Sequence, residues 1–397
     1  MQRVVILGGG VGGTLIANLL ERKLKRQIDK GEVAVTVVDS TGSHVYQPGF
    51  MYIAMGGERA EKLQRPERKL LARRVELITA DATRVDVTSR TVALSDGRTL
   101  GYDYLVLATG SRIVPEEIPH FEQEAHHFYS AEAALELRHA LDAFTGGKIV
   151  IGIAGIPYKC PPAPLEVAFL IETELRKRKL RDKAEMHFCS PIGRAFTIES
   201  ASEMAAPILE KRGIELHTFF NVEAIDPARK VVQSLEGEEL AYDLLVLVPP
   251  HRGAKLVTDS GLAPGAGWLP TDRETLQLKE VRPPNTPDAE TPRYPNVYVV
   301  GDATDLPLSK AGSTAHFESP VIAERIAAAI QGRTPDAKHS QYTGKVMCFF
   351  EVGDGKGTLL NFDYDHPPKP TRPSWLWHLG KIAFNKAYWL TVPKGRV

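Results

Sequence analysis

Val4-Val5-Ile6-Leu7-Gly8-Gly9-Gly10-Val11-Gly12-Gly13 sets a short apolar run against a glycine run, and Thr14 to Leu24 continues with helical character. In this strand–turn–helix order Gly8, Gly10 and Gly13 match G-x-G-x-x-G. The first glycine permits the tight turn, the second lets the backbone approach a pyrophosphate, and the third lets the helix lie close to the strand. A second apolar strand, Val33 to Val38, ends at Asp39, where a carboxylate can accept hydrogen bonds from a ribose. The stretch therefore predicts an amino-terminal dinucleotide-binding unit and an α/β fold.

Working outward, His44 to Met55 reads as a loop with Pro48-Gly49 as its turn signal. Glu76 to Ala82 and Thr91 to Leu94 read as strands of a small meander, with Ser95-Asp96-Gly97-Arg98 as a hairpin turn. Tyr102 to Leu107 is a buried strand ending in Ala108-Thr109-Gly110. Tyr242-Asp243-Leu244-Leu245-Val246-Leu247 echoes Tyr102-Asp103-Tyr104-Leu105-Val106-Leu107, and Gly146 to Cys189 repeats the opening strand–turn–helix–strand order. The pattern predicts two Rossmann-like domains, the second inserted in the first. The boundaries expected are 1–112 with 285–335 for the first, 113–284 for the second and 336–397 for a carboxyl-terminal region. A proline-rich connector, Pro283 to Pro295, marks the return to the first domain.

The second copy has lost what a dinucleotide needs. Its turn reads Gly155-Ile156-Pro157-Tyr158-Lys159-Cys160-Pro161-Pro162, its second strand ends at Cys189 rather than an acid, and its small-residue turn is Val248-Pro249-Pro250. Cys160 thus sits where a phosphate would approach, just before a helix expected over Glu166 to Lys177. Back in the first domain, Asn296 to Ala303 reads as a strand that places Gly301 and Asp302 at its carboxyl end, where open α/β sheets bind ligands. Asp302 can hydrogen-bond the ribityl hydroxyls of a flavin or simply cap a helix. Lys310 and Gly312 follow, then a helix over His316 to Ile330. A helix amino terminus beside an isoalloxazine would stabilise its anionic reduced form.

Composition narrows the classes. The 397 residues have a formal net charge of zero and are 43% apolar, which fits a soluble globular body and gives no pull toward nucleic acid. Three cysteines, Cys160, Cys189 and Cys348, are too few and too far apart for a disulfide framework or a tetrahedral zinc site, so no metal is expected. They read as buried thiols or as a catalytic pair. Met1-Gln2-Arg3 runs straight into the first strand and does not read as a secretion signal. No run reaches the ~20 apolar residues of a membrane span.

Three features carry a narrower resemblance: Lys159-Cys160-Pro161-Pro162-Ala163-Pro164-Leu165-Glu166, Val248-Pro249-Pro250-His251 and Met347-Cys348-Phe349-Phe350. With the glycine motif, Leu105 to Gly110 and Val299 to Ala303, the whole chain resembles the sulfide:quinone oxidoreductases, a branch of the flavoproteins with two dinucleotide-binding domains. The resemblance implies FAD as cofactor, held by Gly8, Gly10, Gly13, Asp39, Ala82, Thr109, Gly110, Gly301, Asp302, Lys310 and Gly312. It also implies a redox pair, Cys160 and Cys348, bridged through sulfur beside the flavin. Hydrosulfide would attack the bridge and leave a persulfide on one cysteine. The freed thiolate, Cys348 by analogy, would pass an electron pair to the flavin, and sulfur would leave as polysulfide. Glu166 is a candidate proton shuttle or an ordinary helix-start carboxylate. His251 is more plausibly structural, and Phe349 and Phe350 would sandwich a quinone or pack in the core. A positive charge or helix terminus near Cys160, with Lys159 as its neighbour, would favour the thiolate. Many family members carry a third cysteine before the inserted domain's first helix; here that region reads His126-His127-Phe128-Tyr129-Ser130, which makes this a two-cysteine variant and puts covalent FAD attachment in doubt.

The carboxyl terminus points to a membrane surface. Over residues 374–390, Leu376, Leu379, Ala383, Ala387 and Leu390 recur at helical spacing, Lys381 and Asn385 fall on another face, and Trp375, Trp377, Tyr388 and Trp389 add interfacial aromatics. This predicts an amphipathic helix lying about 5–10 Å into a bilayer surface, or else one packed on the protein's own core. The expected partners are sulfide, a membrane quinone and the bilayer, the expected location is the cell membrane as a peripheral protein, and self-association into a homo-oligomer stays open. Competing functions are a flavin subunit that reduces cytochrome c, a type II NADH:quinone reductase and a non-catalytic flavin sensor.

Overall fold

The computed structural model describes residues 1–281 and 293–396. Strand Gln2–Leu7 lies within a six-stranded sheet, flanked in parallel by Val33–Asp39 on one side and Tyr104–Leu107 on the other. Glu76–Thr79 extends the first side and Arg293–Val299 the second, both parallel, and Gln277–Lys279 closes the latter edge antiparallel. A parallel strand covered on both faces must be apolar at successive positions, and Val4, Val5, Ile6 and Leu7 are all buried. Helices Val11–Lys23 and Gly312–Ile330 pack on one face. An antiparallel meander, Ala82–Asp86, Thr91–Leu94 and Thr99–Gly101, covers the other.

The chain builds its second sheet between strands Tyr104–Leu107 and Arg293–Val299 of the first. Five parallel strands stand in the order Ala125–His126, Leu244–Val248, Gly147–Ile153, Ala184–Ser190 and Ile214–Thr218. A second meander, Val222–Asp226, Val231–Ser234 and Glu239–Ala241, repeats the plan of the first. The two Rossmann-like units predicted from the Tyr-Asp-x-Leu-Val-Leu echo are therefore present, the second inserted in the first. Ser111–Ile113 and His251–Gly253, on the two crossings between the units, pair with each other as an antiparallel ribbon. After the last long helix come the hairpin Val346–Glu351 with Gly357–Phe362 and the helix Trp375–Ala387. Among the described residues no helix is long and apolar enough to cross a membrane.

Several local expectations are corrected. Glu76 to Ala82 is not one meander strand: Glu76–Thr79 joins the edge of the parallel sheet, and the meander begins only at Ala82. His44 to Met55 is not a loop. Ser43–Val45 pairs with Gln64–Pro66, and Phe50–Ala54 forms a helical turn because Phe50, Met51, Ile53 and Ala54 bury together in the core. The inserted helix starts at Ala163, not Glu166, since Pro164 in its first turn has a preset backbone and needs no amide hydrogen. The last long helix starts at Gly312 rather than His316. Residues 283–292 of the expected connector lie outside the described residues, and Arg293 to Pro295 already belong to a strand.

Candidate active site

The glycine turn fits a bound dinucleotide. Gly8 holds φ +107° against the carbonyl of Ala108, and a side chain on Gly13 would collide with the carbonyl of Gly8, so both glycines are demanded by close packing. Gly10 differs: a Cβ there would meet nothing within 4 Å, which leaves the backbone open to an approaching ligand. The Asp39 carboxylate accepts from Gly9 N–H at 2.8 Å and from Gly42 N–H at 2.7 Å, so it shapes the turn at the end of its strand. Ala82 opens the meander opposite Leu94, its backbone interrupted by a register shift.

Just past the carboxyl end of strand Tyr104–Leu107, the Thr109 hydroxyl is buried without a protein partner, and the buried Ser111 hydroxyl lies beside the Asp302 carboxylate, which it helps to hold down. A buried hydroxyl rarely stays unpaired, so Thr109 fits a polar ligand lying over this edge. Gly110 takes φ +61° with open space around it. Asp302 sits in the short turn Gly301–Ala303, its carboxyl pushed up by burial and pulled back by the cations Lys159 and Lys310. Lys310 is fixed by the carbonyls of Asp302 at 3.0 Å and Thr304 at 2.8 Å and lies 3.9 Å from the ring centre of Trp268. Its own pKa is lowered to about 8, mainly by burial. Beneath the turn, buried Glu318 accepts the Gly301 N–H at 2.5 Å, and burial raises its carboxyl to about 8. These groups would hold FAD along the strand edge, with its polar atoms meeting the Thr109 hydroxyl and Asp302.

The proline turn brings Cys160 to the same place. Cys160 adopts φ +54°, a left-handed conformation that costs a non-glycine residue energy and persists only where the surroundings enforce it. The enforcing contacts are specific. Its N–H donates to the Lys310 carbonyl at 2.7 Å, its own carbonyl accepts from Ala163 N–H at 2.9 Å, and the Tyr129 hydroxyl donates to the Lys159 carbonyl at 2.9 Å. Tyr129 comes from the stretch where a third cysteine was sought. Cys348 reaches the same segment from the hairpin: its Sγ lies 3.8 Å from the hydroxyl of Ser313, in the first turn of helix Gly312–Ile330. The two cysteines, far apart in sequence, thus converge on residues 310–313 and pack on one core cluster. Cys189 is fully buried in a different cluster.

Both converging thiols are pushed up by burial, Cys348 to about 11 and Cys160 beyond the usual range, with Glu166 adding to each. The cation that opposes this is Lys381, not Lys159 as the sequence implied. The Lys159 ammonium instead donates to Gln47 at 3.3 Å and acts on Asp302.

Lys381 belongs to a buried charge network that sequence reasoning missed. Its Nζ donates to Glu166 Oε1 at 2.7 Å and lies 3.3 Å from Glu351 Oε2. Glu166 Oε1 also accepts the Glu351 N–H at 2.7 Å, and the Glu351 carboxylate takes Tyr52 OH at 2.9 Å and His378 Nδ1 at 2.6 Å. Burial raises Glu166 despite the ammonium, whereas Glu351 is held below its ordinary value by Lys381, Tyr52 and His378. One cation among these carboxylates leaves Glu166 as the group able to hold a proton. The one available signal was Lys381 itself, a cation off the apolar stripe in the middle of an interfacial helix.

Phe349 and Phe350 do not form a sandwich. Strand alternation sends them to opposite faces. Phe350 is fully buried between Phe196 and Phe169, with ring centres 6.0 and 6.4 Å away. Phe349 faces the last helix, 6.1 Å from the ring of Phe384 and beside Gly380. His251 is buried, donates from Nδ1 to the Pro249 carbonyl at 2.8 Å and packs edge-on to Tyr129; burial and neighbouring Lys159 lower it to about 3.

A family model described as pyridine nucleotide-disulphide oxidoreductase matches residues 2–159. The mitochondrial sulfide:quinone oxidoreductase of Mus musculus is 26% identical over 381 residues, covering 93% of this chain and 80% of that protein. The sulfide-quinone reductase of Aquifex aeolicus is 25% identical over 425 residues, covering 100% of this chain and 92% of the relative. The crystal structure of the sulfide:quinone oxidoreductase from that bacterium superposes with a TM-score of 0.84 at 24% identity, over 100% of this chain and 92% of the other. Glycine turn, converging cysteines and full-length likeness agree: the chain has the fold of the sulfide:quinone oxidoreductases and resembles them from end to end, with a pyridine nucleotide-disulphide oxidoreductase domain over residues 2–159.

Proposed function

We propose that this chain oxidises sulfide and passes the electrons to a membrane quinone, with Cys160 and Cys348 carrying the sulfur between them. The observation that supports this most is the convergence of both cysteines on residues 310–313, near the edge where the Thr109 hydroxyl is buried without a protein partner. FAD, when bound, supplies the two-electron acceptor between sulfide and quinone. The chain's own residues position and protonate. In the oxidised enzyme the two cysteines are bridged, so no thiolate has to form before sulfide arrives. Hydrosulfide attack at the Cys160 sulfur leaves a persulfide there and releases Cys348 as thiolate. That direction leaves the charge on the sulfur that has a side-chain hydroxyl beside it, as a good leaving thiolate requires. The Ser313 hydroxyl and the helix amino terminus stabilise the thiolate released. Glu166, charge-coupled to both cysteines and hydrogen-bonded to Lys381, is placed to exchange the proton.

For the quinone, Phe349 with Phe384 and Gly380 offers a flat apolar wall beneath the last helix, and Phe350 supports it from the core. In our reading residues 1–112 and 285–335 form the flavin domain, 113–284 the cysteine-bearing domain and 336–397 the quinone and membrane region. Helix Trp375–Ala387 is inverted for a helix at a water boundary. Its polar Lys381 and Asn385 face the protein, Asn385 taking the Tyr46 hydroxyl at 2.5 Å. Trp375, Leu376, Leu379, Phe384 and Leu390 are exposed. A contiguous apolar face of this kind fits burial in lipid at the interface, which would also give a quinone direct entry.

Two experiments test this reading. Anaerobic mixing of the flavin-loaded protein with sulfide is expected to bleach the flavin absorbance, and added quinone to restore it; bleaching by NADH and not by sulfide would overturn the proposal in favour of an NADH:quinone reductase. Flotation with liposomes is expected to carry the intact chain. A Leu376→Ser, Leu379→Ser, Leu390→Ser variant should stay behind with its flavin bound, and unchanged flotation would remove the helix as the anchor.

A further inference from the structure

Outside the cysteine site, the inserted unit carries a cluster of histidines and carboxylates with an unusual arrangement of nitrogens. Strand Ala184–Ser190 pairs in parallel with the edge strand Ile214–Thr218, with His187 opposite Glu215 and Cys189 opposite His217. Residues two apart share a face, so Glu185, His187, Glu215 and His217 stand together. His187 Nδ1 and His217 Nε2 point at each other across 3.1 Å. The Glu215 carboxylate joins them, Oε2 lying 3.5 Å from His187 Nδ1 and Oε1 3.8 Å from His217 Nε2.

The far side of each ring decides what the near side presents. His187 Nε2 is 3.0 Å from Glu185 Oε1, and His217 Nδ1 is 2.6 Å from Glu238 Oε1. When a far nitrogen donates to its carboxylate, a ring with a single hydrogen presents a lone pair on the near side. The two near nitrogens and the Glu215 carboxylate then converge on one small space. Such a cluster is held together by a metal ion or by a shared proton. Two nitrogens bound to one zinc at about 2.0–2.1 Å lie roughly 3.3 Å apart at a tetrahedral angle, close to the spacing found. Charge points the same way. Three carboxylates, Glu185, Glu215 and Glu238, stand around the pair, and Lys148 approaches one of them, 3.4 Å from Glu185.

We propose that His187 Nδ1, His217 Nε2 and the Glu215 carboxylate form a divalent transition-metal site of the zinc class. Glu185 and Glu238 orient the two histidines, the carboxylate–histidine–metal arrangement that fixes ring and tautomer. Glu238 stands between the strands Val231–Ser234 and Glu239–Ala241, so through His217 the site ties the edge strand of the five-stranded sheet to the adjoining meander. The site shares no residue with the cysteine and flavin site. It also reverses the expectation of no metal, which rested on cysteine spacing alone. His187 and His217 lie on separate strands, and no local motif links them.

The test uses tag-free, flavin-loaded protein dialysed against chelator-buffered zinc. One zinc per chain is expected, with an X-ray absorption spectrum showing two imidazole ligands and no sulfur. His217→Gln and Glu215→Gln should lose the metal while keeping a full complement of FAD, and Glu238→Gln should weaken it about 10- to 100-fold. A chain that retains no zinc would overturn the proposal and leave the pair sharing a proton. Sulfur ligands in the spectrum would also overturn it, as would undiminished binding in His217→Gln. If a variant fails to fold, the ligand set of the unaltered protein still decides.

Discussion

The Cys160→Ser and Cys348→Ser variants are each expected to lose sulfide-driven flavin bleaching by at least about 1000-fold, the scale on which a covalent participant is missed. Both should keep FAD, because neither sulfur touches the glycine turn that holds the cradle open. The pair acts as a unit, so the double variant should be no worse than either single one. Stopped-flow absorbance under anaerobic conditions reads all three, and bleaching retained in both single variants would remove the cysteines from the reaction. A second readout separates the partners. Burial pushes Cys348 to about 11 and Cys160 higher still. After reduction with dithiothreitol, alkylation by iodoacetamide should therefore be slow at neutral pH for both and rise with pH at Cys348 first. The same burial explains why the resting state should be the bridge: protonated thiols are poor nucleophiles, whereas a disulfide is an electrophile at any pH.

How much of this was legible in the sequence depends on the range of the forces involved. The glycine turn announces itself because φ and close backbone contact select glycine locally, and the buried parallel strands do so because both faces demand apolar residues. Cys160 stood out for the converse reason, as a cysteine among prolines where glycines were due. The repeat of Tyr102 to Leu107 at Tyr242 to Leu247 revealed the insertion, since each strand solves the same packing problem. What was hidden is long-range. Helix Phe50–Ala54 forms because its apolar residues meet the other unit's core, and Pro48-Gly49 only disguised it as a loop. The opposite fates of Phe349 and Phe350 follow from a strand alternation that was not applied to them. Lys381 was read as the polar side of an interfacial helix. It is the polar side, but that side faces inward, and nothing near position 381 in the sequence names Glu166 or Glu351 as its partners.

Lys381→Met should expose the strength of that hidden network. The substitution keeps the length of the side chain and removes its charge, leaving two buried carboxylates beside each other. Removing one partner of a buried ionic group typically costs about 3–5 kcal/mol, and Glu166, Glu351 and Lys381 are all buried enough for the full effect. Thermal denaturation of the flavin-loaded variant at pH 8 is therefore expected to show a midpoint clearly below that of the parent. The pH dependence carries a definite sign. Without the ammonium, Glu166 is raised further above the ordinary value of 4.5, and Glu351, now below it, loses the strongest of the charges that hold it there. A carboxyl raised in the folded state binds more protons there than in the unfolded chain, so stability falls as pH rises above the unfolded value. The deficit should be smaller at pH 5, where Glu166 can go neutral, and larger at pH 8. Adding Glu166→Gln and Glu351→Gln should restore much of the loss at pH 8, since neutral amides need no cation. A Lys381→Met midpoint equal to the parent's at both pH values would show that the ammonium does not hold these carboxylates, and Glu166 would then lose its basis as the proton-exchanging group.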